Sequence, residues 1–495
     1  MQRLNNVFKK IHNLEHAISI LSWDDAVNMP SGGATSRAES TKELSLIIHD
    51  TLKDQKIADI FIELDETMGT RPEEEQAHYK EIKRVYQNEN ALPSDLISAQ
   101  IMATSECEQK WRQYRKENNW NDFLPYFEEV LKLKKEEAAI RSEQMGLSPY
   151  DSLMNLFEPG STSEQIDKLF TNLKSFLPDF LVTVLEKQQK MEITNPEGNF
   201  PISKQKELGL QIMKSLGFDF NHGRLDISHH PFCGGVADDV RLTTRYDEDD
   251  FTESLMGIIH ETGHSLYEQN LPKAWRPYPV GAARSMGIHE SQSIFYEMQV
   301  GRSNSFLKYI LPILKNDFSK NVTNSTFWDE ENFFNFYHKV ERGLIRTSAD
   351  EVTYPLHIIM RYELEKRMIE GRLEAKDLPE AWNVSMINYF DLDTKNNFRN
   401  GCMQDVHWYS GAFGYFPSYT LGAINAAQLF SSLEKGNPEI RSQISKGNLD
   451  EVANFLRKNI WKRGSFVSSN DLIKDATGEE MSAKYFKEHL ESRYL

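Results

Sequence analysis

The chain is predicted to be mainly α, with one small antiparallel β-sheet next to a buried helix. Three observations predict this. Apolar residues recur at helical spacing along most of the 495 residues. Glycine and proline breakers are few and short. One stretch alone, Leu225 to Tyr246, changes to a strand-like alternation.

Phe123, Phe127, Val130 and Leu131 share one face of an amphipathic helix, and Leu169, Leu173, Phe176 and Phe180 do the same further on. Pro93, Pro149, Pro159-Gly160 and Pro196 to Gly198 punctuate helices and form no long linkers. There is no repeat, low-complexity run or Gly/Ser-rich linker, so residues 1–495 are expected to form a single two-lobed domain. In LDISHHPFCGGVADDVRLTTRY, Gly234-Gly235 signals a turn. Val240, Leu242 and Thr244 then alternate with Arg241, Thr243 and Arg245, which is strand chemistry. Asp249-Asp250 offer a helix cap, and the next helix should run from about Thr252 to Gln269. Another is expected from about Ser285 past Val300.

Composition excludes several classes. The formal net charge is -17 and no basic stripe dominates, which argues against a nucleic-acid partner. Cys107, Cys233 and Cys402 are far apart and odd in number, so buried free thiols in a reducing compartment are expected. No run of about 18 apolar residues is present, so no membrane span is predicted. Glu15, Asp24 and Asp25 come too early for a secretory leader. A cytoplasmic protein is expected.

His260-Glu261-Thr262-Gly263-His264 reads H-E-x-x-H within the helix predicted from Thr252. Imidazoles at i and i+4 lie on one helix face and bind one metal ion. Glu261 projects near the same ion and is placed to take a proton from an activated water. Leu255, Met256, Ile258, Ile259 and Leu266 surround the motif, so the helix is read as buried. Burying two histidines and a glutamate without a partner is costly, and a metal relieves that cost. Gly257 and Gly263 weaken the helix, so they are read as admitting another backbone or a substrate. A catalytic metal needs a third protein ligand and an open position. Spacing leaves two candidates for it, His289 and Glu290.

Six short signatures then occur in order: His230-Pro231-Phe232, Asp239 to Thr243 (D-x-R-x-T), H-E-x-x-H, His289-Glu290-Ser291-Gln292, Ile345 to Asp350 (I-R-x-x-A-D), and Gly401 to Trp408 (G-x-x-Q-D-x-H-W). Together with Leu21 to Asp24 and Met29 to Ala34, the set resembles the carboxypeptidase Taq family of metallocarboxypeptidases, peptidase family M32. The resemblance implies a large neurolysin-like helical peptidase fold with a deep substrate groove, and a homodimer. It implies His260, His264 and Glu290 as metal ligands and Glu261 as general base. It implies one zinc ion per subunit, with cobalt able to substitute. It also implies release of C-terminal residues from peptides with broad preference.

Other residues are assigned within that frame. His407, Tyr415 and Tyr419 are candidates to stabilise the oxyanion. Arg346 leads as the fork for the substrate's free α-carboxylate, on a predicted helix with few acids nearby. Arg241 is second, and Gln404 joins them in substrate binding. Asp350 is assigned as acceptor for a ligand histidine. Two alternatives stand beside this reading: an endo-acting oligopeptidase of the same architecture, and a non-catalytic metal-containing peptide-binding scaffold. The presence of Glu261 argues against the scaffold. An aminopeptidase is disfavoured, because no G-x-M-x-N segment precedes the metal helix.

Overall fold

Helical spacing becomes helix nearly everywhere in the computed structural model, which describes residues 1–495. Phe123, Phe127, Val130 and Leu131 are all buried along the helix Trp120–Met145. Its first turn is capped by Asn119, whose side chain accepts from the Asp122 N–H, and Gly146 ends it in the left-handed region at φ 65°. The apolar series Leu169 to Phe180 is carried by two helices, Ser163–Lys174 and Leu177–Gln188. The reason is Pro178, which has no N–H to donate and whose ring starts a new helix within its first turn.

The sheet corrects the antiparallel expectation: it is mixed. Strands β1 (Gly223–Ile227), β2 (Cys233–Val236) and β3 (Asp239–Thr244) lie in the order β1-β3-β2. β3 runs parallel to β1, with Leu225 opposite Leu242, and antiparallel to β2, with Gly235 opposite Val240. The chain leaving β1 passes the end of β3, where the Ser228 N–H bonds the Thr244 carbonyl. The Phe232 carbonyl then accepts from the Thr243 N–H, which sets β2 on the far edge of β3. Val240 and Leu242 are fully buried against Ile258 of the following helix.

One apolar core joins residues from Cys107 to Tyr494. The helices Gln2–Val27, Gln55–Met68 and Glu73–Asn90 share a second, smaller core around Leu4, Phe8, Ile60, Phe61 and Ile82. A buried ion pair links the two, with Arg284 Nη1 2.9 Å from Glu81 Oε1. The helix Thr252–Asn270 buries Leu255, Met256, Ile258, Ile259 and Leu266, as its sequence requires. The helix Met286–Ile294 packs across it and continues as a π-helical segment, Phe295–Gly301. Pro417–Gly436 is buried along most of its length and lies against Met286–Ile294. All three cysteines are free, and no helix is long and apolar enough to cross a membrane.

Candidate active site

His260 and His264 occupy successive turns of the Thr252–Asn270 helix. Glu290 reaches them from the Met286–Ile294 helix. Glu290 Oε2 lies 3.9 Å from His260 Nε2 and 3.3 Å from His264 Nε2. One ligand atom from each of the three residues falls within 4.8 Å of the others. Two imidazoles and one carboxylate, all three partly exposed, match the donor set of a catalytic divalent metal. The electrostatics fit as well. Glu261, Glu290 and Glu297 are gathered here, and neighbouring imidazoles hold Glu290 low against the upward push of burial.

The outer nitrogens of both histidines are also held. His260 Nδ1 lies 2.9 Å from Glu297 Oε2, and Glu297 is in turn paired with Arg302. His264 Nδ1 lies 2.6 Å from His289 Nδ1, and His289 Nε2 lies 2.9 Å from Glu268 Oε1. His289 therefore stands behind a ligand and is not one of the converging three. Asp350 is corrected: it accepts from the N–H groups of Glu341, Val352 and Thr353 and from the Thr353 hydroxyl, and reaches no ligand histidine. Three of these bonds close the turn at Asp350 and the fourth ties it to Glu341, which uses up its acceptors. The acceptor sought there is Glu297, two helical turns beyond Glu290, a spacing that was visible in the sequence.

Glu261 is buried at the same centre, where desolvation pushes its carboxyl up to about 7. A base near neutrality suits proton transfer to and from water. Gly263 permits close packing: a Cβ there would lie 2.5 Å from the Gln292 carbonyl oxygen on the helix that carries Glu290. No backbone packs at Gly257, where a Cβ would face open space.

His407, Tyr415 and Tyr419 are brought together. His407 Nε2 lies 3.1 Å from the Tyr419 hydroxyl, and the two tyrosine rings are 5.3 Å apart. Burial and the nearby Arg346 charge lower His407 to about 4, so its ring is neutral at pH 7. Burial raises Tyr419 to about 12 and Tyr415 further, with Glu290 among the charges that raise both. Both phenols therefore remain protonated donors beside the metal ligands.

Arg346 departs from its expected surroundings. It lies in a 3-10 turn, Arg346–Ser348, and is buried with an acid directly on it: Asp405 Oδ1 is 2.9 Å from Nε and 2.8 Å from Nη2. Nη1 donates to Tyr354 at 3.1 Å, and the guanidinium lies 5.1 Å from the Tyr419 ring centre. Asp405 Oδ2 is also held by Arg361 at 2.7 Å, so two arginines share one carboxylate and one positive charge is left over. Asp405 stands inside the G-x-x-Q-D-x-H-W signature and was legible there. Gln404 accepts from the Arg346 N–H and donates to the carbonyls of Leu344 and Asn400, so it fixes the Arg346 turn. Arg241 on β3 is paired with Asp239 and stacks 4.4 Å from the Trp23 ring centre.

Comparisons with known proteins agree over the full length. The family model described as carboxypeptidase Taq (M32) metallopeptidase matches residues 3–494. Carboxypeptidase 1 of Bacillus subtilis is 34% identical, covering 99% of this chain and 97% of that protein. Thermostable carboxypeptidase 1 of Thermus thermophilus is 34% identical, covering 96% and 94%. Among solved structures, Trypanosoma cruzi metallocarboxypeptidase 1 superposes with a TM-score of 0.97 at 39% identity, covering 100% and 99%. The M32 carboxypeptidase of Deinococcus radiodurans gives 0.93 at 29% identity, covering 100% and 98%.

Proposed function

We propose that this chain, which belongs to the carboxypeptidase Taq (M32) metallopeptidase family and so is a metallocarboxypeptidase with a divalent metal site, uses zinc to release amino acids from peptide C-termini with broad preference. The observation that carries this is the convergence of His260, His264 and Glu290 beside a buried Glu261. Cobalt is able to replace zinc, and each subunit of a cytoplasmic homodimer holds one ion. The partners are peptides with a free C-terminus, with no role for nucleic acid or membrane.

His260, His264 and Glu290 would hold the ion, which would supply an acidified water and a Lewis acid for the scissile carbonyl. The chain's own residues do the rest. Glu261 takes the proton from water and passes it to the leaving amine. Tyr415 and Tyr419 donate toward the developing oxyanion, with His407 orienting the Tyr419 hydroxyl. The positive charge left over where Arg346 and Arg361 share Asp405 attracts the substrate's terminal carboxylate.

A peptide ladder read by mass spectrometry, with and without chelator, tests the reading. The expected result is loss of single residues from the C-terminus, abolished by chelator, with C-terminally amidated peptides resistant. Undiminished cleavage of amidated peptides would sink the carboxypeptidase assignment in favour of endo-acting hydrolysis.

A further inference from the structure

Glu158 follows the short helix Pro149–Met154 and is 2% exposed. Its Oε1 accepts from the Gly287 N–H and from the Ser418 hydroxyl at 2.7 Å, and the Ser285 hydroxyl bonds the same carboxylate. Gly287 lies in the first turn of the helix that carries Glu290, and Ser418 in the first turn of the helix that carries Tyr419. One carboxylate thus receives donors from two helix N-termini, each bearing partial positive charge. Burial raises the Glu158 carboxyl, and these hydrogen bonds, with the nearby Arg284 charge, work against that rise.

The neighbouring residue repeats the arrangement. The Phe157 carbonyl accepts from the Met286 N–H at 3.0 Å, while the Phe157 ring meets Tyr415 edge-on, 5.0 Å between centres. The fit leaves no slack, because a Cβ at Gly287 would lie 2.8 Å from Glu158 Oε1. The metal-ligand helix and the tyrosine helix are therefore bound to one two-residue segment.

We infer that Glu158 is a positioning residue for the reaction: by joining these two helix N-termini it fixes Tyr415 and Tyr419 relative to the metal ligand Glu290. The inference rests on the reading above, in which those phenols donate to the oxyanion. A misplacement of about 1 Å in such a constellation costs roughly 100-fold in rate.

The test is a double-mutant cycle on the metal-loaded enzyme. Glu158→Ala should lower kcat about 10–100-fold and leave KM within about threefold, without loss of bound metal. Glu158→Gln, which keeps an acceptor oxygen for Gly287 and Ser418, should recover most of the rate. In a Tyr419→Phe or Tyr415→Phe background, the loss from Glu158→Ala should shrink to under about threefold, because the donor it positions is already gone. Full activity of Glu158→Ala, or a loss undiminished in both phenylalanine backgrounds, would overturn the inference. If Glu158→Ala does not fold, Ser418→Ala removes only the tie to the tyrosine helix. Ser418→Ala should lower kcat by roughly three- to tenfold, and an unchanged kcat overturns the inference. Tyr→Phe variants with Glu158 intact separate the two ideas. Full turnover in both removes the oxyanion reading and this inference with it, whereas their loss beside a fully active Glu158→Ala removes this inference alone.

Discussion

His289 holds His264 in the tautomer that leaves its metal-facing nitrogen free. The two Nδ1 atoms are 2.6 Å apart, and His289 Nε2 lies 2.9 Å from the Glu268 carboxylate. A carboxylate only accepts, so His289 carries its proton on Nε2 and accepts at Nδ1. His264 must then donate from Nδ1, and its Nε2 lone pair faces Glu290. His260 reaches the same state by donating to Glu297. Removing the His289 ring leaves His264 free to rotate and to change tautomer. His289→Ala should therefore weaken metal binding about 10–100-fold, measured by competition with a chromogenic chelator. An unchanged affinity would show that packing alone orients His264.

Glu261 is not among the three converging ligand residues, so its loss separates chemistry from binding. Glu261→Gln should abolish turnover while metal content by elemental analysis stays at the wild-type level. Retained turnover would refute its role as base.

Arg346 pairs with Asp405 yet contributes to a site with one positive charge to spare. A charge-assisted contact to the substrate's terminal carboxylate is worth about 1.5–3 kcal/mol, or roughly 10–150-fold in kcat/KM. Arg346→Gln, which removes the charge, should lose that factor on peptides with a free C-terminus, while their amidated counterparts, already poor substrates, change little. If both peptide types lose activity equally, Arg346 acts only through its bond with Asp405.

The legible parts of this molecule are those written in local spacing. His260 and His264 sit one helical turn apart, and the buried residues around them follow from the same period. Pairings between distant segments were not legible. Asp350 is an acid in a fitting signature, but three of its bonds close its own turn and a fourth holds the Glu341 N–H. Asp405 lies in the same signature as Gln404 and His407, but nothing in local spacing shows that Arg346 and Arg361 meet on it. Alternation marked β3 correctly and gave no direction for its partners, since strand order depends on how the Ser228 to Phe232 link passes the end of β3.

Glu365 supplies a pH dependence. It is fully buried, accepts from Tyr150 at 2.6 Å and Trp408 Nε1 at 2.9 Å, and desolvation raises its carboxyl to about 8. Between the ordinary carboxylate range and pH 8 the folded state holds a proton that the unfolded state has released. The stabilisation is complete below the unfolded pKa and is lost as pH rises toward 8. Glu365→Gln keeps the shape and cannot ionise. It should match wild type in thermal melts near pH 4.5 and exceed it at pH 8.5 by roughly 1–3 kcal/mol. An equal difference at both pH values would mean that Glu365 does not titrate in this range.

Gly422 offers the most direct geometric test of the metal centre. It lies on the Pro417–Gly436 helix, where an added Cβ would come within 2.6 Å of Glu290 Cγ and 3.1 Å of its backbone carbon. Two effects oppose each other in Gly422→Ala. Alanine gains about 1 kcal/mol of helix propensity, whereas overpacking a buried contact costs about 1–3 kcal/mol. The clash wins here because it falls on the stem of Glu290 and on backbone, neither of which yields like a flexible side-chain tip. Glu290 should be pushed away from His264, so metal affinity should fall about tenfold or more together with the melting temperature. Gly436→Ala, on the same helix with nothing within 4 Å of its Cβ, provides the control and should leave metal affinity at the wild-type value. If Gly422→Ala binds metal as tightly as that control, the Glu290 side chain is not confined by the helix behind it.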